Sequence, residues 1–225
     1  MTKPEYEDPT PMQRFDAAAH QSFVLFGESR KLVPVAVLDE SITVCKADPI
    51  WPEWFQREAA RLRSALPGDL VPEIRHIGST AVPGLDAKPI VDLMVGIAEP
   101  GRIADLVERL ERLGYESLGE AGVPGRWALR KRHAAQPSNI AIVAYEGDWW
   151  KLNLAVQDYL RANAEAARTY ALAKWHAVSG GADMLLAYSD AKRVMIEKIV
   201  AEARALLVPD PRAAPSRPSA GSGTP

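Results

Sequence analysis

The sequence has one cysteine, Cys45. That excludes an internal disulfide framework and a zinc site built on thiolates, and it fits a reducing compartment. An excess of one charge is also missing. Twenty-seven Lys and Arg stand against 29 Asp and Glu, a formal net charge of −2. There is therefore no electrostatic case for bulk nucleic-acid binding. No apolar run is long enough to span a membrane, and no N-terminal stretch has the order of a signal peptide. A cytoplasmic protein with no membrane partner is expected. The four histidines, His20, His76, His133 and His176, show no close ligand spacing. No internal repeat is visible, and no Ser-His-Asp arrangement can be named from residue order.

What is present fits one domain with trimmings. Hydrophobic residues make up 47% of 225, an ordinary globular share that can bury a sizeable core. The prolines cluster at the two ends. Residues 1–45 read as an N-terminal extension, with a short helix over 14–20 and a hairpin over 31–46 turning at Asp39-Glu40-Ser41. Residues 46–206 carry the folded domain. Residues 207–225 have almost no large apolar side chain, cannot offset their ordering entropy and are expected to be disordered.

Within the domain, Trp51, Phe55, Ala59, Leu62 and Leu66 fall on one face of a helix opened by prolines. A strand is predicted over 71–77 and a second over 90–95. A 3.6-period stripe from Ile103 to Leu113 ends at Gly114, a C-cap residue. Extended pieces follow at 115–118, 127–131 and 140–144. Helices are predicted over 149–161, over 164–177 with Asn163 as N-cap, and over 184–207. The fold class is α+β, a small mixed sheet flanked by helices on one side, with C-terminal helices.

The richest stretch is 75–95. Gly78, Ser79 and Thr80 form a small-residue loop, Pro83-Gly84 a turn, and 90–95 an apolar run interrupted by Asp92. A carboxylate there needs a partner, a hydrogen bond or a metal. Backbone N–H groups, two hydroxyls, Lys88 and Asp92 together suit a phosphate and a divalent cation. The plainer reading is a tight connection with a structural acid paired to Lys88 or an arginine.

These residues resemble the GrpB family. The matching pieces are HIGSTAVPGL at 76–85, AKPIVDLMV at 87–95, LGY at 113–115, GEAGVPGR at 119–126, DYLRANAEAARTYALAK at 158–174 and YSDAK at 188–192. The resemblance implies a nucleotidyltransferase-like fold of the DNA polymerase β superfamily kind. It implies a transferase that takes a nucleoside triphosphate (NTP) with Mg2+ and activates or modifies a small molecule. Gly78 and Ser79 match the Gly-Ser pair that holds phosphates there. Asp92 matches the second acid of an Asp-x-Asp metal pair, and so is the implied catalytic and metal-binding residue. The chain departs from the pattern at Ile90, where the first acid stands, and at Asn139-Ile140-Ala141, where members usually carry His-x-His. It departs again at Arg75 and at Val156-Gln157.

Thr80, Lys88 and Asn139 join the candidate nucleotide contacts. Arg126 stands in a basic cluster with Arg130, Lys131, Arg132 and His133, and alone of them matches the family. Asp158, Arg161, Tyr188 and Lys192 complete the candidates. Tyr188 and Lys192 lie one helical turn apart and can share a face. Lys192 suits a phosphate, and equally an ion pair with Asp158. Two function classes stay open: an enzyme that modifies a small molecule, or a nucleotide-binding or interaction protein without activity.

Overall fold

The computed structural model describes residues 23–26, 31–34, 41–121, 123–132, 134–182 and 184–207. Two short strands, β1 (Phe23–Phe26) and β2 (Lys31–Pro34), pair antiparallel with each other. The hairpin expected over 31–46 is thus corrected. Lys31–Pro34 pairs with the preceding segment, and residues 39 and 40 of the expected turn lie outside the described residues, as does the helix expected over 14–20. Residues 41–46 form no strand. They attach through single bridges, Ser41 to Met184 and Cys45 to Ala87, while Ile42 and Val44 bury against Ala177 and Tyr188.

The domain begins with α1 (Trp51–Ala65), with proline in its first turn. Strand β3 (Glu73–Ile77) leads into a single 3-10 turn, Ser79–Ala81, and the chain returns as β4 (Val91–Ile97). Helix α2 (Ile103–Arg112) ends at Gly114, whose φ of 85° is a left-handed cap. Then come β5 (Glu116–Ser117), β6 (Arg126–Lys131) and β7 (Ser138–Ala144). The sheet order is β3-β4-β7-β6-β5. Strands β4 and β7 are parallel, and their neighbours pair antiparallel, so the sheet is mixed.

Strand alternation divides the sheet into two faces. Leu93, Val95 and Ile97 point with Ile140 and Ile142 toward α1 and α2, and this is the main core. Asp92, Met94 and Gly96 point the other way. That face is covered by α3 (Asp148–Ala162), whose Trp150 packs on Met94, Val143 and Ile77. Helices therefore cover both faces rather than one, because Trp150 and Leu154 give α3 its own apolar stripe. Helix α4 (Ala164–Ser179) follows after Asn163, whose side chain accepts the Ala166 N–H at 3.0 Å. The last predicted helix is two: α5 (Leu185–Ala191) and α6 (Arg193–Ala205), meeting at Lys192. Burial of Tyr188 and of Ile199 against different neighbours requires the change of direction.

Two consequences for stability follow from this packing. A Cβ on Gly96 would lie 2.8 Å from the Tyr145 ring and 2.9 Å from the Trp150 ring. Gly96→Val is expected to cost about 1–3 kcal/mol by overpacking, read as a lower midpoint in urea with an unchanged slope. His76 stacks on Phe55 at 4.8 Å and bonds Thr80 Oγ1 through Nε2 at 2.9 Å. Burial, aided by the charge of Arg161, pulls its pKa from 6.5 to about 4. The folded state therefore holds His76 neutral where the unfolded chain would protonate it. That contribution is complete above pH 6.5 and is lost as pH falls toward 4, for about 3 kcal/mol in all. Urea unfolding at pH 7 and pH 4.5 is expected to show a steeper acid loss in the wild type than in His76→Gln.

Candidate functional site

Three elements converge on the loop between β3 and β4. Gly78 has φ 72°, and its backbone passes so close to Asp92 that a Cβ would meet Oδ2 at 2.5 Å. Only glycine allows both the conformation and the approach. From α3, Gln157 donates to the carbonyl of His76 at 2.6 Å and Arg161 to that of Ala81 at 3.0 Å. From α4, Lys174 donates through Nζ to Ser79 Oγ at 3.0 Å and to the Asp86 carbonyl. The loop is thus held on both sides of Ser79, with its hydroxyl left facing a cavity of about 210 Å³.

Cations dominate that cavity. Lys88, Lys174 and Lys192 line it, and Asp92 is its single carboxylate. Lys174 is 1% exposed and lies 4.2 Å from the Tyr170 ring centroid. Burial and then the charge of Lys192 pull its pKa down to about 7, with Asp86 acting the other way. Lys192 sits 4.4 Å over the Tyr188 ring. Burial and then Lys88 bring it down to about 8, opposed by Asp92. Tyr170 is pushed up to about 12 by burial, despite the interaction of its hydroxyl with Ser79. Among the described residues, no carboxylate lies within ion-pair distance of Lys174 or Lys192.

Asp92 is already engaged. Its Oδ1 accepts from Asn139 Nδ2 at 2.7 Å, across the parallel pairing of β4 and β7. Asn139 Oδ1 in turn accepts from Arg132 at 2.9 Å. Arg126 lies within electrostatic reach of Asp92, its own pKa lowered by burial, and its Nε is buried without a hydrogen-bond partner. This donor set suits Mg2+ poorly. Mg2+ asks for octahedral oxygen ligands. Here the cavity supplies one carboxylate, one of its oxygens is bonded to an amide, and the Lys192 ammonium and the Arg126 guanidinium lie within its electrostatic reach. No cluster of three or more His, Cys, Asp or Glu with metal-site geometry occurs among the described residues.

Of the residues named from sequence, the cavity gathers Gly78, Ser79, Thr80, Lys88, Asp92, Tyr188 and Lys192. Asn139 stands directly behind Asp92. Asp158 does not join them: it is exposed and pairs with Arg161 at 3.4 Å, so it is not the partner of Lys192. Arg161 faces a neighbouring open groove of about 650 Å³. Sequence reasoning missed Lys174, Tyr170, Gln157 and Asp86. The available signal was the i, i+4 pair of Tyr170 and Lys174 at the end of the 158–174 piece. Asp86 is held by Trp175 Nε1 at 2.8 Å, Lys46 Nζ at 3.0 Å and the Ala47 N–H at 3.0 Å. Burial raises its pKa, but these bonds outweigh it and leave the group below the usual carboxylate value. It anchors residues 45–47 to α4 and lines the neighbouring groove.

Comparison with known proteins agrees with the arrangement of elements. Residues 41–202 match the family model described as GrpB protein. The chain is 28% identical to a glutamate-rich protein GrpB of Alkalihalophilus pseudofirmus, over 68% of this chain and 90% of that one. It is 32% identical to a UPF0157 protein of Halalkalibacterium halodurans, over 73% and 84%. A crystal structure of GrpB from Enterococcus faecalis superposes with a TM-score of 0.68 at 34% identity, covering 73% of this chain and 99% of that one. No described helix is long and apolar enough to cross a membrane. The chain belongs to the GrpB family.

Proposed function

We propose that this protein binds a nucleoside triphosphate by its phosphate chain in the cavity and transfers the nucleotidyl group to a hydroxyl or amine of a small molecule, the acceptor's oxygen or nitrogen bonding to the α-phosphorus, with loss of its proton, as the bond to the leaving pyrophosphate breaks. The observation that carries the reading is the convergence of Ser79 Oγ with Lys88, Lys174 and Lys192 around a loop fixed from three elements. Lys174 and Lys192, which meet no carboxylate at ion-pair distance among the described residues, make an anion the favourable occupant, since charge-assisted hydrogen bonds are the strong ones. The size of the cavity supports the same division. About 210 Å³ is below the roughly 300 Å³ at which whole drug-sized ligands are usually held. It has room for a phosphate chain, and the nucleoside would extend beyond it.

The neighbouring groove offers a place for the remaining substrate. It shares Leu160 with the cavity and is lined by Val82, Leu172 and Trp175 with Arg161 and Arg168 at hand. An apolar floor with two guanidinium groups suits a flat or aliphatic molecule bearing an acidic group. Catalysis would then rest on positioning and on lysine charge set against the phosphoryl oxygens.

The test is titration with ATP, GTP and CTP, followed by a pyrophosphate-release screen with small alcohols and amines. Lys174→Met and Gly78→Ala are expected each to weaken nucleotide binding by about tenfold or more, with circular dichroism confirming that both fold. The reading is abandoned if no nucleotide binds the wild type.

A further inference from the structure

We propose that the cavity holds a polyphosphate directly on Lys88, Lys174 and Lys192, with no divalent cation between ligand and protein. This rests on the phosphate reading above and adds to it a statement about what neutralises the ligand. The geometry of Asp92 is the first argument. Oδ1 already accepts from the Asn139 amide at 2.7 Å, and Asn139 is itself held by Arg132 at 2.9 Å, so a metal would have to share that oxygen or rest on Oδ2 alone. The carboxylate is thus tied across the sheet to Asn139 and is a counter-charge for Lys192 and Arg126.

Charge is the second argument. A divalent cation at Asp92 would be repelled by Lys192 and Arg126, each already within electrostatic reach of that carboxylate. A polyphosphate meets the opposite field. Lys174 and Lys192 find no carboxylate within ion-pair distance among the described residues, so phosphate oxygens complete what the fold leaves open.

A third consequence is specific to ammonium groups. Lys174 faces Ser79, Asp86, Tyr170 and Lys192, and Lys192 faces Lys88, Asp92 and Tyr188. Two of these neighbours are lysines, so each ammonium weakens the other in the empty cavity. A bound anion reverses that balance and fixes the proton on each Nζ. Binding near pH 8 therefore takes up protons, and binding near pH 6, where both lysines are already charged, takes up almost none.

Calorimetric titration of the full chain with inorganic tripolyphosphate decides the matter. It is run at pH 8 in EDTA and in excess Mg2+, each in two buffers of different ionisation enthalpy. The expected result is binding in EDTA that Mg2+ does not strengthen, with uptake on the order of one proton per ligand. Lys192→Met, checked for folding, is expected to weaken binding in EDTA by about tenfold or more. Binding that appears only with Mg2+ overturns the inference and leaves the phosphate reading standing. Binding in EDTA that Lys192→Met leaves unchanged also overturns it, since the lysine then does not receive the ligand. No heat in either condition overturns both.

Discussion

Lys174 carries an ammonium group to a place where almost no water reaches it. Taking a charge out of water costs several kcal/mol even after the protein relaxes. The fold answers with a hydroxyl, a backbone carbonyl and the face of an aromatic ring, from Ser79, Asp86 and Tyr170. None of these carries a full negative charge. The ammonium is tolerated but not neutralised, and it is neighboured by a second lysine, Lys192, which is half-buried and has Asp92 as its counter-charge. Much of the local architecture is arranged around this tension. Asp86 presents its carbonyl to Lys174 because its carboxylate is fixed by Trp175, Lys46 and the Ala47 N–H. Ser79 presents its hydroxyl because Gln157 and Arg161 hold the loop from behind.

The sheet makes this possible by separating its tasks. One face is purely apolar where Leu93, Val95, Ile140 and Ile142 meet α1 and α2, and it supplies the stability. The other face is mixed. Met94 and Val143 pack under Trp150, and one residue pair further along the same strands Asp92 meets Asn139. A period of two along β4 and β7 thus places the polar pair at the strand ends next to the Gly78 loop, without disturbing the core behind it. Helices α4 and α5 then close the cavity from the side with Tyr170, Lys174 and Tyr188.

Much of this could be read from the chain. The stripe from Trp51 to Leu66 and the run around Asp92 gave elements of the right kind within a few residues, because side-chain period and length leave little choice there. Asp92 stood out as an acid among apolar neighbours. Lys174 did not, since α4 is rich in alanine and weakly amphipathic, and its burial comes from α3 and the loop rather than from its own pattern. The single helix expected over 184–207 failed for a related reason. Good helix formers stand on both sides of Lys192, and the packing of Tyr188 on Ile42 and Val44 reveals the break there. The hairpin expected over 31–46 rested on alternation alone, which cannot say which strand a segment pairs with. Family resemblance pointed to the loop, while the paired environment of Asp92 emerged only from the contacts with Asn139 and Arg132.

On the function proposed above, an anion at Lys174 completes the cavity. Lysine side-chain NMR, following the Cε and Nζ signals of Lys174 through a pH titration with and without tripolyphosphate, tests it most directly. The expected result is a midpoint near 7 in the free protein that moves up toward the ordinary lysine value of 10.5 when the ligand is bound. A midpoint near 10.5 in the free protein, or one that tripolyphosphate leaves in place, would contradict it.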